Sequence, residues 1–378
     1  MPDDAGTSQR HFRDVTEQFG LSDVVSDRVF LGAAFGDYDR DGWADLFLSS
    51  YFGGRSVLLK NTGGKRFEPT ELMRTTRSGF TAAFLDVNHD GQLDLFHAGH
   101  GSARSVTESA VFSNGSVRSA SAIFVQQDGA FEERIDVFRD GMPIGTMGTS
   151  FGDINNDGAL DFYLGTGSPE GSFILPNLFY VGETVDGHCT GFARNASVLH
   201  SLGTVQKGHG IVFFDFENDG DQDIYSSLGG MWPGDAWPNQ FFVNNSRLEH
   251  HWVKVRLRGR QTNYYGVGAM IRVAAKRPNG ESIDRYYPMN NKTGFGSTPY
   301  VAHIGLMDAA NIQHIEVFWP VSKKTKFYTA QPDRMYELDE NGTALERVLT
   351  AAPEASTNAA AAAIGTAPRG ATLRHRSR

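Results

Sequence analysis

Gly32-Ala-Ala-Phe-Gly-Asp-Tyr-Asp-Arg-Asp-Gly-Trp-Ala-Asp-Leu-Phe decides how this sequence is read, because its pattern returns three more times. The later copies are Phe80-Thr-Ala-Ala-Phe-Leu-Asp-Val-Asn-His-Asp-Gly-Gln-Leu-Asp-Leu-Phe, Gly148-Thr-Ser-Phe-Gly-Asp-Ile-Asn-Asn-Asp-Gly-Ala-Leu-Asp-Phe-Tyr and Gly210-Ile-Val-Phe-Phe-Asp-Phe-Glu-Asn-Asp-Gly-Asp-Gln-Asp-Ile-Tyr. Their first aspartates are Asp37, Asp86, Asp153 and Asp215, so the repeats recur at intervals of 49, 67 and 62 residues. Periods of this length suit one four-stranded propeller blade each, allowing for insertions. Each copy places a short apolar run before an Asp-rich loop and a second apolar run after it. A third run follows at Val57-Leu-Leu, Ala122-Ile-Phe-Val, Asn177-Leu-Phe-Tyr and Asn239-Gln-Phe-Phe-Val. A fourth follows a glycine turn at Gly64-Lys-Arg-Phe-Glu-Pro and Gly129-Ala-Phe-Glu-Glu. Four short strands per period predict an all-β fold, a β-propeller of four readable repeats over residues 12–247.

The fourth repeat has no visible fourth strand. Phe12-Arg-Asp-Val-Thr near the N-terminus reads as a strand with no repeat of its own, and is expected to complete that last blade. From 248 to 345 the period changes. Alternating runs at Trp252–Leu257, Ala269–Val273, Ile283–Tyr287, Ile315–Trp319 and Arg334–Leu338 predict a second, β-sandwich-like domain. Residues 349–378, alanine-rich and then arginine-rich, read as a disordered tail.

The loops share Asp-x-Asp/Asn/Glu-x-Asp-Gly-x-x-Asp. Alternate positions 1, 3 and 5 let a tight loop turn three oxygen-bearing side chains inward. The glycine at position 6 supplies a left-handed backbone. Position 7 can offer a carbonyl and position 9 a further carboxylate, a set suited to calcium, which takes six to eight oxygens. The expected ligands are Asp37, Asp39, Asp41, Trp43 and Asp45; Asp86, Asn88, Asp90, Gln92 and Asp94; Asp153, Asn155, Asp157, Ala159 and Asp161; and Asp215, Glu217, Asp219, Asp221 and Asp223. Up to four calcium ions are expected; the competing reading is a set of structural Asx turns. The formal net charge of −9 argues against nucleic acid as a partner, and four divalent cations would bring it to about −1.

These motifs resemble the FG-GAP, or VCBS, repeats of integrin-like propellers. With Gln206-Lys-Gly-His-Gly, Gly229-Gly-Met-Trp-Pro-Gly-Asp, Tyr265-Gly-Val-Gly-Ala-Met-Ile and Val317-Phe-Trp-Pro, the chain resembles the cartilage acidic protein family, which ends in an ASPIC/UnbV domain. The resemblance implies calcium binding and an extracytoplasmic or secreted location. Met1-Pro-Asp-Asp-Ala-Gly lacks the basic and apolar parts of a signal peptide, which leaves a cytoplasmic location or a processed chain open. No apolar run is long enough for a membrane span. Cys189 is the sole cysteine, so neither an internal disulfide nor a cysteine zinc site can form.

Beyond the loops, Lys207 and His209 are candidates for acid–base work at a channel mouth, against a structural role for a histidine in a glycine-rich loop. Trp232, Trp237 and His100 are candidate ligand contacts, against a loop that caps its own core. His97 and His100 read as solvated loop residues, and His250 and His251 as packing at the domain junction. Two functions fit. One is a calcium-binding propeller acting as a protein- or glycan-binding module. The other is a calcium-stabilised enzyme of natural-product biosynthesis, with a small-molecule pocket on the propeller face.

Overall fold

The computed structural model describes residues 12–347 except 27, 52–54, 74, 76–78, 101–119, 135, 139–144, 171–172, 231–233, 247–249 and 291–293. Trp232 and the tail therefore lie outside the described residues. Among those described, the helix is one turn, α1 (Ser22–Val25), and nearly everything else is antiparallel β.

Each repeat becomes one sheet. The first joins β1 (Phe30–Gly36), β2 (Asp45–Ser50), β3 (Val57–Asn61) and β4 (Phe67–Pro69). The second joins β5 (Gly79–Leu85), β6 (Asp94–Gly99), β7 (Ala122–Gln127) and β8 (Ala130–Arg134). The third joins β9 (Thr149–Gly152), β10 (Asp161–Leu164), β13 (Leu178–Val185) and β14 (His188–Asn195), with the hairpin β11 (Ser168–Glu170)–β12 (Phe173–Leu175) inserted. The fourth has three strands, β15 (Gly208–Phe214), β16 (Asp223–Leu228) and β17 (Gln240–Phe242). The Asp loop is in every case the turn between the first and second strand.

The sheets pack face to face through three apolar clusters. Phe47 and Leu58 of the first sheet meet Phe84 and Leu95 of the second. Phe96 meets Phe151 and Phe162, and Phe179 meets Ile211 and Phe213. The residue before the first loop aspartate alternates in size for this reason. A Cβ on Gly36 would stand 2.6 Å from the Phe84 ring, and one on Gly152 would stand 2.4 Å from that of Phe213. The second and fourth repeats carry Leu85 and Phe214 at that position.

Among the described residues, Phe12-Arg-Asp-Val-Thr does not complete the fourth sheet, and the segment that follows it lies elsewhere. It turns along the outer edge of the first, where the Phe67 N–H donates to the Phe19 carbonyl at 3.0 Å and the two rings lie 6.2 Å apart. A lone phenylalanine in a short run fits either edge equally, so the sequence pattern cannot choose between them.

The C-terminal domain is a two-sheet sandwich. One sheet is β18 (His251–Arg258), β21 (Ala302–Met307), β24 (Arg334–Asp339) and β25 (Ala344–Arg347); the other is β19 (Met270–Lys276), β20 (Ser282–Pro288), β22 (Asn311–Trp319) and β23 (Lys324–Tyr328). Its core gathers Val253, Val255, Ile271, Val273, Ile315 and Trp319, all with no exposed surface. Trp319→Ala is expected to cost about 3–5 kcal/mol, read as a lowered urea midpoint at an unchanged slope.

Candidate metal centres and the domain joint

All four Asp loops have one backbone design. The position-1 carboxylate accepts the N–H of the position-6 glycine: Asp37 from Gly42 at 2.9 Å, Asp86 from Gly91 at 2.9 Å, Asp153 from Gly158 at 2.8 Å and Asp215 from Gly220 at 2.9 Å. Those glycines sit at φ of 95°, 81°, 85° and 99°, the left-handed conformation the sequence requires of them. Asp41, Asp90, Asp157 and Asp219 at position 5 each accept the N–H two residues on.

The position-9 aspartates do something the sequence does not announce. Asp45, Asp94, Asp161 and Asp223 are wholly buried. One oxygen of each accepts the N–H that follows the first loop aspartate (Tyr38, Val87, Ile154 and Phe216), and the other accepts an N–H from the region of the third strand (Asn61, Gln126, Gly182 and Asn244). Each is a clasp between loop and sheet, whatever else its remaining lone pairs hold.

Position 4 carries a second unannounced feature. Arg40, His89, Asn156 and Asn218 are all left-handed, with φ of 59°, 56°, 56° and 60°. This conformation throws their side chains sideways onto the next loop. Arg40 donates to the Gly91 carbonyl, His89 Nε2 to the Gly158 carbonyl at 2.6 Å, and Asn156 Nδ2 to the Gly220 carbonyl at 2.9 Å. His89 Nδ1 accepts the Tyr286 N–H at 2.9 Å, so one neutral tautomer satisfies both contacts. Asn218, at the end of this relay, lines a cleft of about 930 Å³ against the sandwich together with Asp219, Asp221, His250 and Trp252.

The sandwich covers the loops. Lys323 Nζ donates to the Asp41 carbonyl at 3.1 Å. Buried Arg285 donates to the carbonyls of Asp157 and Gly187. His250 Nδ1 meets the Asn155 carbonyl at 2.7 Å and His303 Nε2 meets Asn156 Oδ1 at 2.7 Å. Lys254 pairs with Asp215 at the fourth loop, and Lys60, from within the first sheet, pairs with Asp39.

Several carboxylate oxygens remain unanswered. Asp37 Oδ1, Asp215 Oδ1, Glu217 Oε2 and Asp221 Oδ1 are buried with no hydrogen-bond partner. Oxygens of Asp37, Asp39 and Asp45 lie within 4.8 Å of one another. A buried, unpartnered carboxylate oxygen is costly, and such donor sets fit a hard divalent cation. The acids also respond to burial. It pushes Asp45, Asp94 and Asp223 up to about 7 and Asp153 and Asp221 up to about 8, and raises Asp161 well above the usual carboxylate range.

Away from the loops, Lys207 is buried, His209 lies within β15, and Trp237 is exposed. His97 and His100 are buried rather than solvated. His97 Nε2 meets Ser49 Oγ at 2.7 Å, and the His100 ring stacks on Tyr51 at 5.7 Å. The acidic loops and Lys207 lie at opposite ends of the inner strands, so the structure does not join the two sets of candidates.

Residues 37–97 match the FG-GAP-like repeat family, and residues 259–345 match the ASPIC and UnbV family. The chain thus carries an FG-GAP-like repeat and a C-terminal ASPIC/UnbV domain. Among solved structures it is similar to AofleA from Arthrobotrys oligospora (9% identity, 84% of this chain and 79% of that chain covered, TM-score 0.29). It is also similar to a protein from Lactobacillus plantarum (11% identity, 80% and 84% covered, TM-score 0.27). No curated protein matches the chain. No helix among the described residues is long and apolar enough to cross a membrane.

Two outcomes are expected of the ion-free protein. Asp94→Ala strands the N–H groups of Val87 and Gln126, and in excess EDTA should cost about 2–4 kcal/mol by urea denaturation; a residue serving only as a metal ligand would cost nothing there. The raised acids bind more protons folded than unfolded between about pH 4, the ordinary aspartate value, and the values near 7–8 given above. Stability in EDTA should therefore fall as pH rises across that window and level off above it, as followed by thermal melts.

Proposed function

We propose that the chain is a calcium-binding β-propeller module whose ions stiffen the joint between the propeller sheets and the ASPIC/UnbV sandwich, leaving exposed aromatic surface to take a protein or glycan ligand. The observation that carries this reading is the set of buried, unpartnered carboxylate oxygens of Asp37, Asp215, Glu217 and Asp221 beneath the sandwich. In each loop the residues at positions 1, 3 and 5 would hold the ion, with position 7 lending its carbonyl or, in the fourth loop, the Asp221 carboxylate. Calcium would supply charge compensation where water is excluded, in place of protonation. Asn88 and Asn155 put one carboxylate fewer into the second and third loops, which favours weaker sites filled where calcium is abundant, outside the cytoplasm.

The ligand surface would be the open face of the fourth sheet. Tyr225, Phe241 and Val243 are exposed there, and the Phe241 ring stacks on Phe214 at 5.6 Å and meets Phe216 edge-on at 5.3 Å. Exposed Trp237 follows β16 in the same repeat. Aromatic patches of this kind serve protein contacts and sugar stacking alike.

At pH 8, calcium at a hundredfold excess over its dissociation constant should add about 2.7 kcal/mol per filled site, seen as a melting temperature many degrees above that in EDTA. The gain should shrink at pH 5, where protons already occupy the raised acids. Asp37→Ala should remove one ion from the stoichiometry measured by titration calorimetry. Superimposable melts with calcium and with EDTA at pH 8 would refute the proposal.

A further inference from the structure

The end of the inner strands away from the acidic loops is built differently. Lys207, just before β15, is 3% exposed, and its ammonium donates to the Gly145 carbonyl. No carboxylate among the described residues forms an ion pair with it. A buried ammonium with three N–H groups and no ion-pair partner among the described residues is an expensive arrangement, and it stands here beside two imidazoles, one of which, His209, also feels Asp235. His100 and His209 both feel the Lys207 charge, and burial together with that charge holds both below the ordinary histidine range. His100 Nδ1 is buried with no partner. Burial brings Lys207 itself down to about 8.

The sandwich reaches this end too. Asn290 donates to the Phe84 carbonyl, near the acidic end of β5, and Gly294 exchanges two backbone hydrogen bonds with Thr149 at 3.1 and 3.0 Å. Phe295 then sits at the far end in a left-handed conformation with φ of 62°, a conformation costly for an aromatic residue. Its ring stacks on Phe80 at 5.0 Å and meets His209 edge-on at 6.1 Å, while Phe80 lies 5.1 Å from His100. Beside the aromatic pair runs a groove of about 280 Å³, floored by Gly32, Ala33, Thr81 and Gly294. Phe295 is half exposed and belongs to none of the four apolar clusters of the described residues. The strain therefore places an aromatic wall rather than filling a core.

We infer that this end of the inner strands is a binding site for a small organic anion with a flat apolar body, of the aromatic carboxylate class, with Phe80 and Phe295 taking the body and Lys207 the charge. The inference is independent of the cation reading, because none of these residues touches an acidic loop.

The test uses the full chain with 2-naphthoate as probe, binding followed by naphthoate fluorescence or ligand-observed NMR. Saturable binding in the sub-millimolar range is expected. The neutral analogue 2-naphthalenemethanol should bind at least about tenfold more weakly. Lys207→Met and Phe295→Ala should each weaken naphthoate binding by about tenfold or more, with Lys207→Met melting no lower than the parent protein in calcium. Where Lys207→Met does not fold, Phe295→Ala and the neutral analogue carry the test. Absence of saturable binding up to roughly 10 mM, equal affinity for the neutral analogue, or undiminished binding in the folded variants overturns the inference.

Discussion

Everything in the repeat half depends on a buried carboxylate with two backbone N–H groups aimed at it. At Asp45, Asp94, Asp161 and Asp223 one oxygen closes the Asp loop and the other catches the sheet's third strand. A loop and a sheet that could otherwise slip become one body. Register is fixed at the point where an apolar strand alone specifies it poorly, since a one-residue slip would turn these aspartates out of their N–H pairs. The glycines and the left-handed residues at positions 4 and 6 are the backbone conditions for the same closure.

From that body the rest assembles outward. The left-handed position 4 aims Arg40, His89 and Asn156 at the next loop's glycine carbonyl, so neighbouring sheets are tied at their loops as well as through their apolar faces. The carbonyls and side chains left over on that surface then meet Lys323, Tyr286, Arg285, His303 and Lys254 of the sandwich. The joint between the domains is thus polar and partly charged. Among these contacts the pair of Lys254 with Asp215 is the one that engages a loop carboxylate; the others meet backbone groups and neutral side chains.

The fold was legible in the sequence because two periodicities announce it. The spacing of Asp37, Asp86, Asp153 and Asp215 marks four sheets, and the change of pattern after 248 marks the sandwich, whose five expected strands fall within β18, β19, β20, β22 and β24 except for Ala269, one residue before β19. The strands β11, β12, β14, β21, β23 and β25 fall outside the runs read from the sequence. The relay at position 4 was hidden for a physical reason. Arg40, His89, Asn156 and Asn218 share a backbone angle rather than a chemistry, and only the angle repeats. Asp45 and its counterparts were visible as acids, but a metal ligand and a backbone clasp have the same letter in a sequence. Placing the sandwich over the loops needed contacts between residues more than a hundred positions apart, such as Arg285 with Asp157, which no local pattern encodes.

The fourth loop shows how the repeat is adapted where the relay ends. Asn218 has no fifth loop to reach, and the sandwich supplies what a neighbour would have given. Trp252 stands where a Cβ on Gly220 would fall, 1.9 Å from the ring nitrogen, so only glycine permits this approach. Lys254, held 5.1 Å above the same ring, pairs with Asp215. One lysine cannot answer the whole loop, because Asp215 Oδ1, Glu217 Oε2 and Asp221 Oδ1 stay unpartnered around it. The longer Glu217 and the extra Asp221 add negative charge at the loop where the sandwich brings in a positive one. The one cation among the described residues that pairs with this loop therefore comes from across the domain boundary, whereas Lys60 answers the first loop from within its own repeat.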